Sequence, residues 1–297
     1  MPQIKANGIK LEYLSQGNPE GETVLLIMGL ATQLTGWPEE LCEHLVERGY
    51  HVLRFDNRDI GLSERLDSKR APNVPLLAGI RMVGLPVRVP YTLEDMARDA
   101  VALLDALEIE RAHLVGASMG GMIAQLIAAR FPGRTASLTS IMSTTGHTSL
   151  PRAERSATRA LMLKPKNPRD PESVIERNVI VRKALQSRSY PKTHEEIWET
   201  AAAAVKRGGY NPDGVARQLG AILAAEQRRA LLGLVQAPSL VLHGDEDPLV
   251  KVECGIDTAQ HLPDSELHIL KGMGHDLPAV HLEEIADRIH GVAQRAA

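Results

Sequence analysis

Short apolar runs of strand length alternate with amphipathic helical segments along most of the chain, and this alternation restricts the fold more than any other feature. Residues 23–28 form a continuous apolar run, the pattern of a strand buried on both faces. A helical stretch at 39–48 follows, with Leu41, Leu45 and Val46 on one side, and then a second short run at 50–55. Residues 92–108 read as a helix that Thr92 can cap with Asp95 three residues on, while Met96, Val101, Leu104 and Leu107 keep the helical period. Further strands are expected at 113–115, 138–142, 240–243 and 267–270, with helices at 120–130, 254–261 and 281–292. Asn7-Gly8 between Ile4 and Ile9 reads as an opening hairpin, because this pair supplies the positive φ angles of a tight turn. The order implies βαβ units and therefore an α/β fold: a mostly parallel sheet flanked by helices.

Two stretches break the alternation. Residues 145–234 contain no convincing strand and read as about four helices, punctuated by Pro151, Pro165, Pro168, Pro171, Pro191 and Pro212. They fall between two strands, where ligands bind outside the strand ends of open α/β sheets, so a helical cap or lid is expected there. The core is then 1–144 together with 235–297. Residues 67–90 form a second irregular stretch, long, apolar and rich in Pro and Gly. Leu76, Leu77, Ile80, Met82, Val83, Leu85 and Val87 in that stretch are expected to pack at the mouth of a pocket.

Composition narrows the function classes. Two Phe, two Trp and five Tyr in 297 residues leave an aliphatic core and no stacking platform for nucleic-acid bases. A net charge of −3 gives no electrostatic reason to seek nucleic acid or anionic membranes. Cys42 and Cys254 lack metal-ligand spacing and read as free thiols in a reducing compartment. The first residues lack a secretory h-region, and no apolar run approaches the ~18 residues of a membrane span. A cytoplasmic protein without metal or organic cofactor, and with a small-molecule partner, is the expectation.

The chemistry concentrates in His113-Leu114-Val115-Gly116-Ala117-Ser118-Met119-Gly120-Gly121. Glycines on both sides of the serine allow a sharp strand-to-helix turn that presents the hydroxyl at a helix N-terminus. Gly-x-Ser-x-Gly alone is a weak signal; an apolar strand before it and a helix after it make it specific. A serine hydroxyl needs a base, and the base needs an orienting acid. Downstream, in the order Ser, acid, His, lie His243-Gly244-Asp245-Glu246-Asp247-Pro248 and Lys271-Gly272-Met273-Gly274-His275, each just after an expected strand. His275 is the favoured base, because glycines at 272 and 274 free its loop; His147 and His243 are weaker alternatives. Asp247 is the favoured acid because Pro248 stiffens the following turn, with Asp245 and Glu246 in competition and Asp56 an outsider. The oxyanion of a tetrahedral intermediate needs N–H donors, expected from the backbones of Met119 and Leu30.

At these residues the sequence resembles the α/β-hydrolase superfamily over essentially its whole length, and within it the esterase group that includes aclacinomycin methylesterase. The resemblance is carried by Ile27-Met28-Gly29-Leu30, Gly36-Trp37-Pro38, the segment from Arg54 to Ser63, Gly116 to Gly121 and the two downstream blocks. It implies an α/β-hydrolase fold and a triad of Ser118, Asp247 and His275, which selects Asp247 among the acids. Two departures stand out. Met28 occupies a position that is His in most relatives, so the anchoring of the oxyanion loop is expected to differ. Asp59 replaces the first glycine of Asp-x-Arg-Gly-x-Gly-x-Ser, a segment that is structural in the family.

The implied activity is carboxylic-ester hydrolysis through an acyl-enzyme on small to medium, moderately hydrophobic esters. Leu161, Met162, Leu163, Val179, Ile180 and Leu185 are expected to make the cap aliphatic. A lactonase, a carbon–carbon bond hydrolase and a perhydrolase use the same machinery, and a non-catalytic small-ligand receptor is the alternative of another class. Glu195 and Glu196 read as a solvated helix face rather than as an amino-terminus binding pair. Natural substrate and oligomeric state are not encoded in any of these motifs.

Overall fold

Asn7 and Gly8 take φ angles of 49° and 82°, and the turn they make joins β1 (Gln3–Ala6) to β2 (Ile9–Gln16) as the sequence predicts. The computed structural model describes residues 2–296. β2 runs antiparallel to β4 (His51–Phe55), and from there every pairing is parallel through β3 (Thr23–Ile27), β5 (Ala112–Ala117), β6 (Thr135–Ile141), β7 (Ser239–Gly244) and β8 (Ser265–Leu270). The described residues thus form one eight-stranded sheet in the order β1-β2-β4-β3-β5-β6-β7-β8.

Alternation along each strand sorts side chains between two apolar layers. Leu25 and Ile27 of β3 pack beneath α3 (Leu93–Ala106) and α4 (Met119–Arg130), whereas Val24 and Leu26 face α1 (Glu39–Glu47) and α11 (Leu282–Gln294). Burial on both faces explains why the central strands read as unbroken apolar runs. The Thr92–Asp95 capping box at the head of α3 forms as expected. Cys42 and Cys254 are buried and free. Burial pushes the Cys42 thiol up to about 11, which leaves it a poor nucleophile at neutral pH.

Residues 67–90 depart from the expectation of an irregular apolar stretch. They contain α2 (Val74–Met82), started by Asn73, whose side chain accepts from the Leu76 amide, and by a proline in the first turn. Only Leu77 in this helix is buried; Leu76, Met82, Val83 and Leu85 stand exposed. The apolar residues are scattered around the helix rather than gathered in a stripe, so no period announced it. The helix and its flanks meet α8 (Pro212–Ala224), where Pro72, Val89 and Leu77 surround Gly220.

Between β6 and β7 the chain makes α5 (Arg155–Leu161), α6 (Pro171–Leu185), α7 (His194–Gly208), α8 and α9 (Arg229–Leu232), the last a single turn beyond the four expected. Pro171 and Pro212 sit in first turns, where a missing N–H is harmless. Glu196 closes a capping box with Thr193 at the head of α7, a structural use of that residue. Val179 packs with Ile197 and Ala201, but Met162, Leu163 and Ile180 are exposed and do not line an aliphatic interior. α10 (Val252–His261) completes the set, against β7 and β8. No helix among the described residues is long and apolar enough to cross a membrane.

Candidate active site

Ser118 lies between the last residue of β5 and the first of α4, with φ 55° and ψ −118°. A side-chain-bearing residue is rarely held there, and the cost is about 1–3 kcal/mol. Packing on all sides enforces it. A Cβ on Gly120 would run into the carbonyls of Ile27 and Met28, and one on Gly116 into the Gly120 backbone. Both glycines that flank the serine are therefore demanded by close backbone approach. The Ser118 amide donates to Ile141 O at 2.9 Å, and Ser143 Oγ donates to Ser118 O at 2.8 Å.

The loops after β7 and β8 bring the other two residues to the same edge. His275 Nδ1 donates to Asp247 Oδ2 at 2.7 Å, which leaves Nε2 as acceptor for the Ser118 hydroxyl at 3.0 Å. Asp247 Oδ1 accepts from the amides of Leu249 and Val250, both at 2.8 Å. Burial opposes charge on Asp247, but His275, His243 and the Val250 amide hold the carboxyl below its usual range. His243 stands 3.7 Å away on Asp247's other side, with Nε2 donating to Val250 O at 2.7 Å. Burial lowers its pKa.

The competing acids have other partners. Asp245 accepts from the Gly272 amide at 2.6 Å, bracing the histidine loop. Glu246 accepts from the amides of Arg188 and Ser189 and from Ser189 Oγ. Asp56 accepts from the amides of Leu34 and Leu62 and from Arg207 Nη1. His147 pairs with Ser149 on the surface.

Gly29 brings the loop after β3 against the serine: a Cβ there would lie 3.1 Å from Ser118 Cβ. The amides of Leu30 and Met119 have no acceptor among the described residues. Met28, which departs from the expected His, is held by Asn57 Nδ2 donating to its carbonyl at 2.9 Å. Asp59 is explained as well. It takes φ 71°, and its carboxylate is gripped by Arg217 Nε at 2.8 Å and Nη2 at 2.6 Å, by Tyr91 OH and by the Leu66 amide. Burial raises the Asp59 pKa, and these donors more than reverse it.

Several contacts come from the insertion and have no local signal in the sequence. Ser187 Oγ donates to Asp276 Oδ1 and accepts from the Gly274 amide, while the His275 amide donates to Leu185 O. Arg217 and Gln218 are buried on α8, although polar residues on an amphipathic helix ordinarily read as its wet face.

This geometry can be set beside known proteins. The model of the alpha/beta hydrolase fold matches residues 22–282. The chain belongs to the alpha/beta hydrolase fold family. It is a hydrolase with esterase, carbamate hydrolase and enol-lactonase relatives. Rhodomycin D methylesterase DauP of Streptomyces sp. (strain C5) is 27% identical over 283 residues, covering 89% of each chain. RutD of Variovorax paradoxus (strain S110), named for carbamate hydrolysis, is 31% identical over 267 residues, again 89% of each. Among solved structures, the meta-cleavage product hydrolase of Pseudomonas fluorescens IP01 superposes with a TM-score of 0.77 at 19% identity, covering 100% of this hydrolase and 98% of that chain. That last likeness speaks to the fold alone.

Proposed function

We propose that this hydrolase cleaves small to medium, moderately hydrophobic carboxylic esters through Ser118, His275 and Asp247. One observation carries the reading: an imidazole stands 3.0 Å from the Ser118 hydroxyl and is backed at 2.7 Å by a buried carboxylate. Ser118 Oγ attacks the ester carbonyl as its proton passes to His275 Nε2, and Asp247 stabilises the imidazolium. The amides of Leu30 and Met119 receive the oxyanion; a single such donor contributes roughly 3–4 kcal/mol in comparable enzymes. Collapse of the intermediate expels the alcohol, protonated by His275, and leaves an acyl-serine. Water, deprotonated by the same imidazole, then releases the acid and restores the hydroxyl. Residues 145–234 act as a cap over a core of 1–144 and 235–297, a role supported by the bonds from Leu185 and Ser187 to the histidine loop. The kinship with a methylesterase favours esters over lactones and carbon–carbon bonds.

The test is turnover of p-nitrophenyl acetate and butyrate, with fluorophosphonate labelling. Wild type is expected to turn over steadily and to label at Ser118. Ser118→Ala is expected to lose about a thousandfold or more in kcat without losing its fold. Neither turnover nor labelling in wild type would overturn the proposal in favour of a non-catalytic receptor.

A further inference from the structure

The loop after β3 is tied to the insertion as well as to the sheet it leaves. The Ala31 amide, the next N–H after that of Leu30, donates to Gln218 Oε1 at 3.0 Å. Gln218 is fully buried, and its Nε2 donates to Arg58 O at 2.9 Å, so the side-chain amide is satisfied at both ends and cannot turn over without losing both bonds. Its helix is itself fixed: Arg217 grips Asp59, Asn211 Nδ2 donates to Asp59 O at 2.8 Å, and Gly214 lets α8 lie directly on the Asp59 backbone. Two residues further along the loop, Gln33 Nε2 donates to Ala204 O at 2.7 Å and Gln33 Oε1 accepts from Arg207. Ala31 sits at φ 57°, a conformation an alanine holds only when its surroundings impose it.

We propose that Gln218, carried on the insertion, is the positioning residue of the oxyanion loop, fixing the Leu30–Ala31 peptide so that the Leu30 amide is aimed at the developing oxyanion. The inference rests on the ester-hydrolase reading above. Its physical content is preorganisation: a donor aligned before the reaction stabilises the transition state without reorganisation, and a donor free to swing does not. The insertion therefore completes the catalytic machinery as well as covering it. Gln218 need not touch substrate for this.

The experiment compares wild type with Gln218→Met, which keeps the length of the side chain and removes both hydrogen bonds, and with Gln218→Glu, which keeps the acceptor for Ala31. Gln218→Met is expected to lower kcat about ten- to a hundredfold while KM stays within about threefold, because the lost interaction matures only in the transition state. Affinity for a trifluoromethyl ketone, whose serine adduct carries an oxyanion, should fall in step with kcat. Affinity for a product carboxylate should not move. Gln218→Glu should recover part of kcat. Amide exchange in unmodified protein gives a readout that needs no variant: the Ala31 N–H, bonded to the buried Gln218 side chain, should exchange about a hundredfold more slowly than an unbonded exposed amide. Unprotected exchange at Ala31, an unchanged kcat in Gln218→Met, or equal losses for ketone and carboxylate would each overturn the assignment. A wild type that neither turns over esters nor labels at Ser118 sinks the parent reading with it, whereas an active wild type beside an unaffected variant sinks this assignment alone.

Discussion

In the sheet, Val24, Leu25, Leu26 and Ile27 have no exposed surface, and each gains about 1.5–3 kcal/mol from burial that depends little on direction. The insertion between β6 and β7 meets the core differently. Arg217 with Asp59, Arg207 with Asp56, Gln218 with Ala31 and Ser187 with Asp276 are all directional, and Arg217, Asp59, Asp56, Gln218 and Ser187 are buried. Apolar burial makes the sheet tolerant of small adjustments. Polar joints set the insertion in one place, where a wrong angle costs as much as a missing partner. A site that must align an imidazole, a hydroxyl and an amide to fractions of an ångström benefits from the second kind of joint.

The sharpest way to break this contrast is Arg217→Met. It leaves the Asp59 carboxylate buried without its ion pair, and the expected loss is about 3–5 kcal/mol. Urea unfolding followed by circular dichroism, with limited proteolysis alongside, should show cleavage within 145–234 before the sheet unfolds. If core and insertion instead lose protection together, the two regions are one cooperative unit. The double variant with Asp59→Gly should recover much of the loss, since glycine accepts the φ of 71° and no carboxylate remains.

Gly120→Ala probes the core in the same assay. Its Cβ meets backbone carbonyls that cannot move aside, so destabilisation of about 3 kcal/mol, the upper end of the range for overpacking, is expected in a single transition. Acid is the next perturbation. Burial depresses the pKa of His51, His113 and His243, so the folded state resists protonation that the unfolded chain accepts. Stability is then complete above the unfolded pKa of about 6.5 and falls as pH drops from there toward the depressed folded values. Denaturation midpoints at pH 8, 6.5 and 5 check the sign; a midpoint that rises in acid would contradict it. The smallest effect belongs to Met82→Lys on exposed α2, within about 0.5 kcal/mol by the same urea titration.

Much of the molecule was legible in advance because its signals are local. Apolar runs marked the buried strands, Asn7-Gly8 marked the hairpin, and Thr92 with Asp95 marked the head of α3. Ser118, the loop of His275 and the acidic block also declared themselves, since glycine turns after strands are readable residue by residue. α2 was missed because its apolar residues have no common face. Asp59 was legible only as an oddity, and Gln218 and Arg217 were not legible at all.

The chain alone determined that a parallel sheet forms and that serine, carboxylate and histidine end up along one edge of it, because strand burial and glycine turns are written in neighbouring residues. Spacing alone left Asp245, Glu246 and Asp247 in competition until the family resemblance selected Asp247, and the fold places that carboxylate on His275; which residues of the insertion grip the loop after β3 was decided only by the folded molecule. Asp245, Glu246 and Asp247 are chemically near equivalents in sequence, and Gln218 is 187 residues from Ala31. Their partners follow from directions in space, which one-dimensional spacing does not contain.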